Sequence, residues 1–194
     1  MVAGGADSPA GEMPDRARGL TFHDDTGKRH ALLDAHSRCD SPPRSCMSTA
    51  QQQLDAFLEK FNPEIAAQAR AVLDRVREFV PGAIELVYDN YQALVIGFGP
   101  TQRTGDAVLS VAVYPKWVTL FFMHGAKMSD PFSLLHGTGS AVRGVRIHDL
   151  AQLDDERLQM LIETAVAMAP KPIDGTAERT MIIKSVSEKQ RPRR

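Results

Sequence analysis

The spacing of apolar positions changes twice along this chain, first helical, then strand-like, then helical again. Leu54, Phe57, Leu58 and Phe61 recur at i, i+3, i+4 and i+7, which is one buried stripe of an amphipathic helix. Ser48-Thr49-Ala50-Gln51 has the form of a capping box and predicts a helix start at Ser48. Asn62-Pro63-Glu64 predicts a second start: Asn caps, Pro suits the first helical position, and an acid suits the positive end of the helix dipole. Ile65, Ala69, Val72, Leu73, Val76 and Val80 form the buried face of that helix, and Pro81-Gly82 ends it.

Strand-length runs follow. Ile84–Tyr88 and Tyr91–Phe98 read as a hairpin turning at Asp89-Asn90, and residues 107–114 and 117–123 as a second one around Pro115-Lys116. Ser129-Asp130-Pro131 predicts a short helix over Phe132–His136, and Ala141–His148 a fifth strand. Asp154-Asp155-Glu156 opens a last helix, whose stripe is Leu158, Leu161, Ile162, Ala165 and Met168 and whose stop is Pro170. Hairpin-linked strands with helices at both ends predict an α+β fold, an antiparallel sheet of five to six strands with helices packed on one face.

The ends read differently. Residues 1–46 are rich in Gly, Ala, Asp, Arg, Ser and Pro with almost no apolar period, which predicts disorder. Met47 stands directly before the expected helix and is a candidate native start. The predicted organisation is an extension over 1–47, a domain over 48–170 and a basic tail over 171–194. Within the tail, 180–186 holds a β-prone run that either docks as a strand or stays loose.

Charge sharpens this division. The net charge of −1 conceals −4 over residues 47–170 and +4 over residues 171–194. An acidic domain is no nucleic-acid footprint, and only the tail is left to touch phosphate. Both cysteines, Cys39 and Cys46, lie outside the domain, so its stability needs no oxidising compartment. The longest apolar runs are strand-length, too short to span a bilayer, and the expected location is the cytoplasm with no membrane partner.

The common active-site signatures are missing. Gly97-Phe98-Gly99 and Gly137-Thr138-Gly139 lack the third glycine and the strand-to-helix setting of a dinucleotide loop, and no Gly-Lys-Ser/Thr occurs. His23, His30, His36, Cys39 and Cys46 match no zinc spacing. His124, His136 and His148 fall at element ends and read as polar rim. No Gly-x-Ser-x-Gly or His-Glu-x-x-His occurs, so binding is favoured over turnover. Asp55, Glu59, Glu64, Asp74 and Glu78 could offer oxygen ligands to iron, but Lys60, Arg70, Arg75 and Arg77 alternate with them and make a solvated helix face the favoured reading. Arg70 and Asp74 have the spacing of a weak surface pair.

One polar-aromatic set remains. Tyr88, Tyr91, Tyr114 and Trp117 are all the tyrosines and the only tryptophan, all near strand ends and turns. Arg143 and Arg146 stand three apart on the last predicted strand and so on opposite faces. Tyr88, Tyr91, Trp117 and Arg143 are the candidate pocket, suited to an anionic or planar ligand. Such aromatics also serve simply as sheet core.

Residues 82–91, Trp117-Val118-Thr119-Leu120-Phe121-Phe122, His124-Gly125-Ala126 and Asp130–Gly139 followed by Arg143 and Val145-Arg146 resemble the YdhG-like bacterial family of unknown function. The ending from Ile183 to Arg194 is similar to that of one subgroup, and the likeness spans about residues 50–194. The resemblance implies an α+β sandwich with a five- or six-stranded antiparallel sheet. It also implies an iron-chaperone role for some members, which leans on an acidic surface that the mixed charges here weaken; no metal ligand is carried over. The expected function is therefore a non-enzymatic module for a small molecule or protein partner. An iron-binding chaperone and an enzyme of unknown reaction are the alternatives.

Overall fold

The computed structural model describes residues 44–194, with side chains from Thr49 onward. The expected disorder over residues 1–43 and the His23, His30, His36 and Cys39 positions lie outside the described residues, whereas Arg44 to Met47, expected to belong to the disordered extension, are helical. Helix α1 runs over Arg44–Leu58 and α2 over Pro63–Phe79. The start of α1 corrects the Ser48 prediction, because Ser48 lies four residues inside the helix. In the sequence Pro42-Pro43 stands directly before Arg44, and a proline disfavours helical backbone in the residue that precedes it. The predicted stripe of α1 is buried throughout: Leu54, Leu58 and Phe61 are 1 % exposed and Phe57 8 %. Helix α2 buries Ala66, Ala69, Val72, Leu73 and Val76. It is followed by a turn in which Gly82 takes φ +72° with the Asp174 carbonyl packed where a Cβ would stand. No other residue fits there.

Six strands follow: β1 (Ile84–Asp89), β2 (Leu94–Gly99), β3 (Leu109–Tyr114), β4 (Trp117–Phe122), β5 (Arg143–Ile147) and β6 (Thr180–Val186). Helix α3 (Glu156–Ala167) lies between β5 and β6. The sheet order is β5-β4-β3-β2-β1-β6. The first five strands pair antiparallel, as hairpin connections dictate. The expectation of a wholly antiparallel sheet is corrected at β6, which pairs parallel with β1. The cause is the crossover through α3, which lands the chain on the far edge running the same way as β5. The predicted helix over Phe132–His136 is also corrected. Ser133 has φ 55°, the Asp130 carboxylate accepts from the amides of Leu134 and Leu135, and His136 forms an antiparallel bridge with Gly144. The first hairpin turns wider than expected: β2 begins at Leu94, and Asn90 N–H donates to the Ala93 carbonyl, leaving Tyr91 in the turn.

The two sheet faces differ. Val87, Ile96, Phe98, Val111, Leu120, Phe122 and Ile147 meet the apolar stripes of all three helices in one core. The same face of β1 carries two buried carboxylates, Glu85 at 1 % and Asp89 at 0 % exposure. Arg77 grips Glu85 through two 2.9 Å bonds and Arg179 adds a 2.6 Å bond. Asp89 accepts from Lys60 at 2.7 Å, Gln190 at 2.5 Å and Arg193 at 2.7 Å. Arg179 precedes β6 and Arg193 follows it, so both ends of β6 are tied to β1 through buried charge. Residues 171–194 are thus no loose tail, and a boundary at 170 cuts through the unit, which continues to Arg194. What the sequence concealed was the need: two carboxylates buried on β1 require cations, and this segment brings them.

Candidate functional site

The predicted pocket residues separate. Tyr88 lies on the sheet face turned away from the helices, its hydroxyl 2.7 Å from Thr104 Oγ1. Tyr91 is 52 % exposed in the β1–β2 turn. Trp117 opens β4 on that outer face, with Tyr114 stacked at 5.1 Å between ring centroids. Arg143 pairs in register with Phe122 and so falls on the helix-side face. Its guanidinium donates to the Gly139 and Val142 carbonyls and closes the preceding loop. Arg146, in register with Thr119, is the arginine that reaches the tryptophan, 4.8 Å over the indole. The opposite-face rule for the two arginines therefore holds, and it puts Arg143 on the side away from Trp117.

Two concavities take the place of the single predicted pocket. The first is a cleft of about 520 Å³ at the β3–β4 hairpin, lined by Asn62, Lys116, Trp117, Arg191 and Arg194 with two prolines. It draws on three parts of the chain: the N-cap of α2, the two-residue hairpin turn, and the segment after β6. Arg191 is placed by its backbone N–H, which donates to the Tyr91 carbonyl at 2.9 Å. Arg194 is placed by bonds from its guanidinium to the Phe61 and Glu59 carbonyls. The Lys116 ammonium and the Arg191 guanidinium have no hydrogen-bond or ion-pair partner among the described residues, and no Asp or Glu side chain lines the cleft. Asn62 makes no side-chain cap bond to α2, so the positive end of a 17-residue helix adds to the same field. Tyr114 and Arg146, on the strands either side of Trp117, approach the indole from both neighbours.

The second concavity lies on the outer face beside Tyr88, with a volume of about 230 Å³. Leu86, Val95, Ala107 and Met123 supply apolar wall, and Gly97 leaves the floor low. Ser110 is 6 % exposed and its hydroxyl bonds to no described residue. No charged side chain lines this space.

Three of the helix-surface acids are paired with arginine. Asp74 binds Arg77 at 2.7 Å, Glu78 binds Arg75, and Asp55 stands 3.8 Å from Arg70. Arg70 thus pairs across to α1 rather than with Asp74 along its own helix. Burial pulls the Arg77 guanidinium down, but its bonds to Glu85 and Asp74 outweigh this and hold it above its ordinary value. Desolvation pushes the Arg193 guanidinium below its ordinary value against the pull of Asp89. Among the described residues, no three His, Cys, Asp or Glu side chains gather as a metal site, and no helix is long and apolar enough to cross a membrane. Charge in the cleft, rather than a motif, was the signal the sequence reading missed. By local spacing Lys116 is a turn residue and Arg191 and Arg194 belong to the tail.

Compared with known proteins, the chain matches no family model, no curated protein and no solved structure.

Proposed function

We propose that this chain is a non-enzymatic, YdhG-like cytoplasmic module that binds a small anionic molecule in the cleft at the β3–β4 hairpin. One observation carries the reading: Lys116, Arg191 and Arg194 line one concavity with no side-chain carboxylate to neutralise them. Unpaired cations held close together repel, and an anion relieves that repulsion while gaining charge-assisted hydrogen bonds. The unengaged Arg191 guanidinium suits the forked geometry of a carboxylate or phosphate, Lys116 adds a mobile point charge, and Arg194, tied through Nε and Nη2 to backbone carbonyls, adds a fixed positive charge. Because Tyr114 and Arg146 flank the indole, a ligand meets the Trp117 edge rather than a free flat face.

The test is a thermal-shift titration of the purified chain with inorganic phosphate, citrate and benzoate. A ligand that binds only the folded form raises Tm by mass action. At least one anion is expected to raise Tm saturably in the millimolar range, and added NaCl to weaken the response by screening. Lys116→Ala with Arg191→Ala is expected to abolish the response. No response to any of the three anions, or an unchanged one in the double variant, sinks the reading.

A further inference from the structure

We propose that the outer-face cavity beside Tyr88 is a second binding site, separate from the anion cleft, for a small neutral molecule with a ring-sized apolar body and one hydroxyl. Size, charge and hydrogen bonding each point to that class. A volume of about 230 Å³ exceeds the roughly 150 Å³ of an engineered apolar cavity in another protein that takes benzene. The wall contains no ionisable acid or base other than the Tyr88 phenol, so an ion would be desolvated there without a counter-charge.

Ser110 supplies the hydrogen-bonding requirement. It stands mid-strand in β3, in register with Gly97 on one neighbour and Phe121 on the other. It is 6 % exposed, and no described residue accepts from or donates to its hydroxyl. The hydroxyl lines the cavity wall with no protein partner of its own, so it is free to bond a group placed in that space. Tyr88 and Thr104 share one hydrogen bond at 2.7 Å, which engages one of their two protons and leaves the other to donate. A ligand hydroxyl can therefore accept from one side and donate to the other. Thr104 opens the short 3₁₀ turn Thr104–Asp106, and the Thr101 hydroxyl donates to Asp106 at 2.6 Å, so the loop carrying the rim is itself tied down.

Gly97 gives the test its lever. A Cβ there would meet Ala107 Cβ at 3.8 Å and the Leu86 carbonyl at 3.9 Å, ordinary contacts, so a side chain grows into the cavity rather than into the backbone. The experiment titrates the full chain with phenol and benzene as probes, followed by amide chemical shifts of β1, β2 and β3 and by Tm. Phenol is expected to shift the amides around Ser110 and Tyr88 saturably and to bind roughly tenfold tighter than benzene, the factor one hydrogen bond supplies. Ser110→Ala is expected to bring phenol down to the affinity of benzene, and Gly97→Leu to remove both. Lys116→Ala is expected to leave phenol binding unchanged. No saturable shift with phenol, which means a cavity holding water alone, overturns the proposal. Equal phenol affinity in wild type and Ser110→Ala overturns it too. If Gly97→Leu does not fold, Ser110→Ala decides, because it removes one oxygen and leaves the rest of the wall in place.

Discussion

Phe121 and Phe122 are adjacent in β4 and live in different surroundings. Phe122 is fully buried beneath the helices, whereas Phe121 lies half-buried on the outer face with the bare Cα of Gly144 beside its ring. The same contrast runs across the whole sheet. The helix-side face is filled with large apolar side chains and two clamped carboxylates. The outer face has small residues at its middle, Gly97, Ser110, Ala112 and Thr119, and larger ones around them. One face spends its side chains on stability, and the other leaves room for something else.

The largest effects should fall on the helix side. Phe122→Ala is expected to cost about 3–5 kcal/mol, transfer energy plus the cavity left in a close-packed interior. Asp89→Ala is expected to cost a similar 3–5 kcal/mol, because it strands the buried Arg193 and frees Lys60 and Gln190. Arg193 already has Nε and Nη1 without partners, so without Asp89 it keeps only the Asn90 carbonyl and no counter-charge. Denaturant unfolding measures both. Adding Arg193→Met to Asp89→Ala is expected to recover part of the loss, since a methionine needs no counter-charge, and strict additivity would show that the pair is not coupled.

Phe121→Ala is expected to cost only about 1 kcal/mol, as a half-buried ring forfeits about half the transfer energy of a buried one and leaves no closed cavity. Equal losses at Phe121 and Phe122 would break the comparison of the two faces. Smaller still, Lys116→Ala and Arg191→Ala are expected to stay within about 0.5 kcal/mol of wild type, as for surface positions making no specific contact. Ligand-free destabilisation well beyond that would mean these cations hold the fold rather than await an anion.

How much of this could be read from the sequence follows the same division. Period and caps depend on local spacing, so the stripe from Leu54 to Phe61, the core of α2, five strands and the opposite faces of Arg143 and Arg146 were all legible. The parallel placing of β6 was not, because a crossover connection leaves direction to long-range packing. The Phe132–His136 segment misled because Asp130 can cap a helix or tie a turn with the same two oxygens, and the left-handed Ser133 decides for the turn. The candidate pocket was half legible. Tyr88 and Trp117 do line concavities, but two different ones, since aromatic identity says nothing of which side chains share a space. Arg191 and Arg194 reach the cleft because Arg193, between them, is anchored to Asp89, a long-range contact that local spacing does not encode.

The smallest expected effect tests how the covered face keeps its lid. Helix α3 contributes Leu158, Leu161, Ile162 and Ala165 to that face, and its first turn is held by Asp155 at the exposed N-cap. The Asp155 carboxylate accepts from the Arg157 side chain and from the Arg157 amide, and these bonds lower its pKa from an ordinary 3.8 to about 2. A carboxyl whose folded pKa lies below its unfolded one stabilises the fold when ionised. That contribution is complete above about pH 4, falls as pH drops toward 2, and is gone below that. Asp155→Asn keeps a capping oxygen for the Arg157 amide but carries no charge. The expected result is a slightly lower Tm than wild type at pH 7 and a gap between the two that closes as pH falls from 4 to 2. The outer face has no part in this exchange, so phenol-induced shifts around Ser110 should be the same in both proteins at pH 7. A gap that widens in acid would mean that Asp155 holds α3 through its proton rather than its charge.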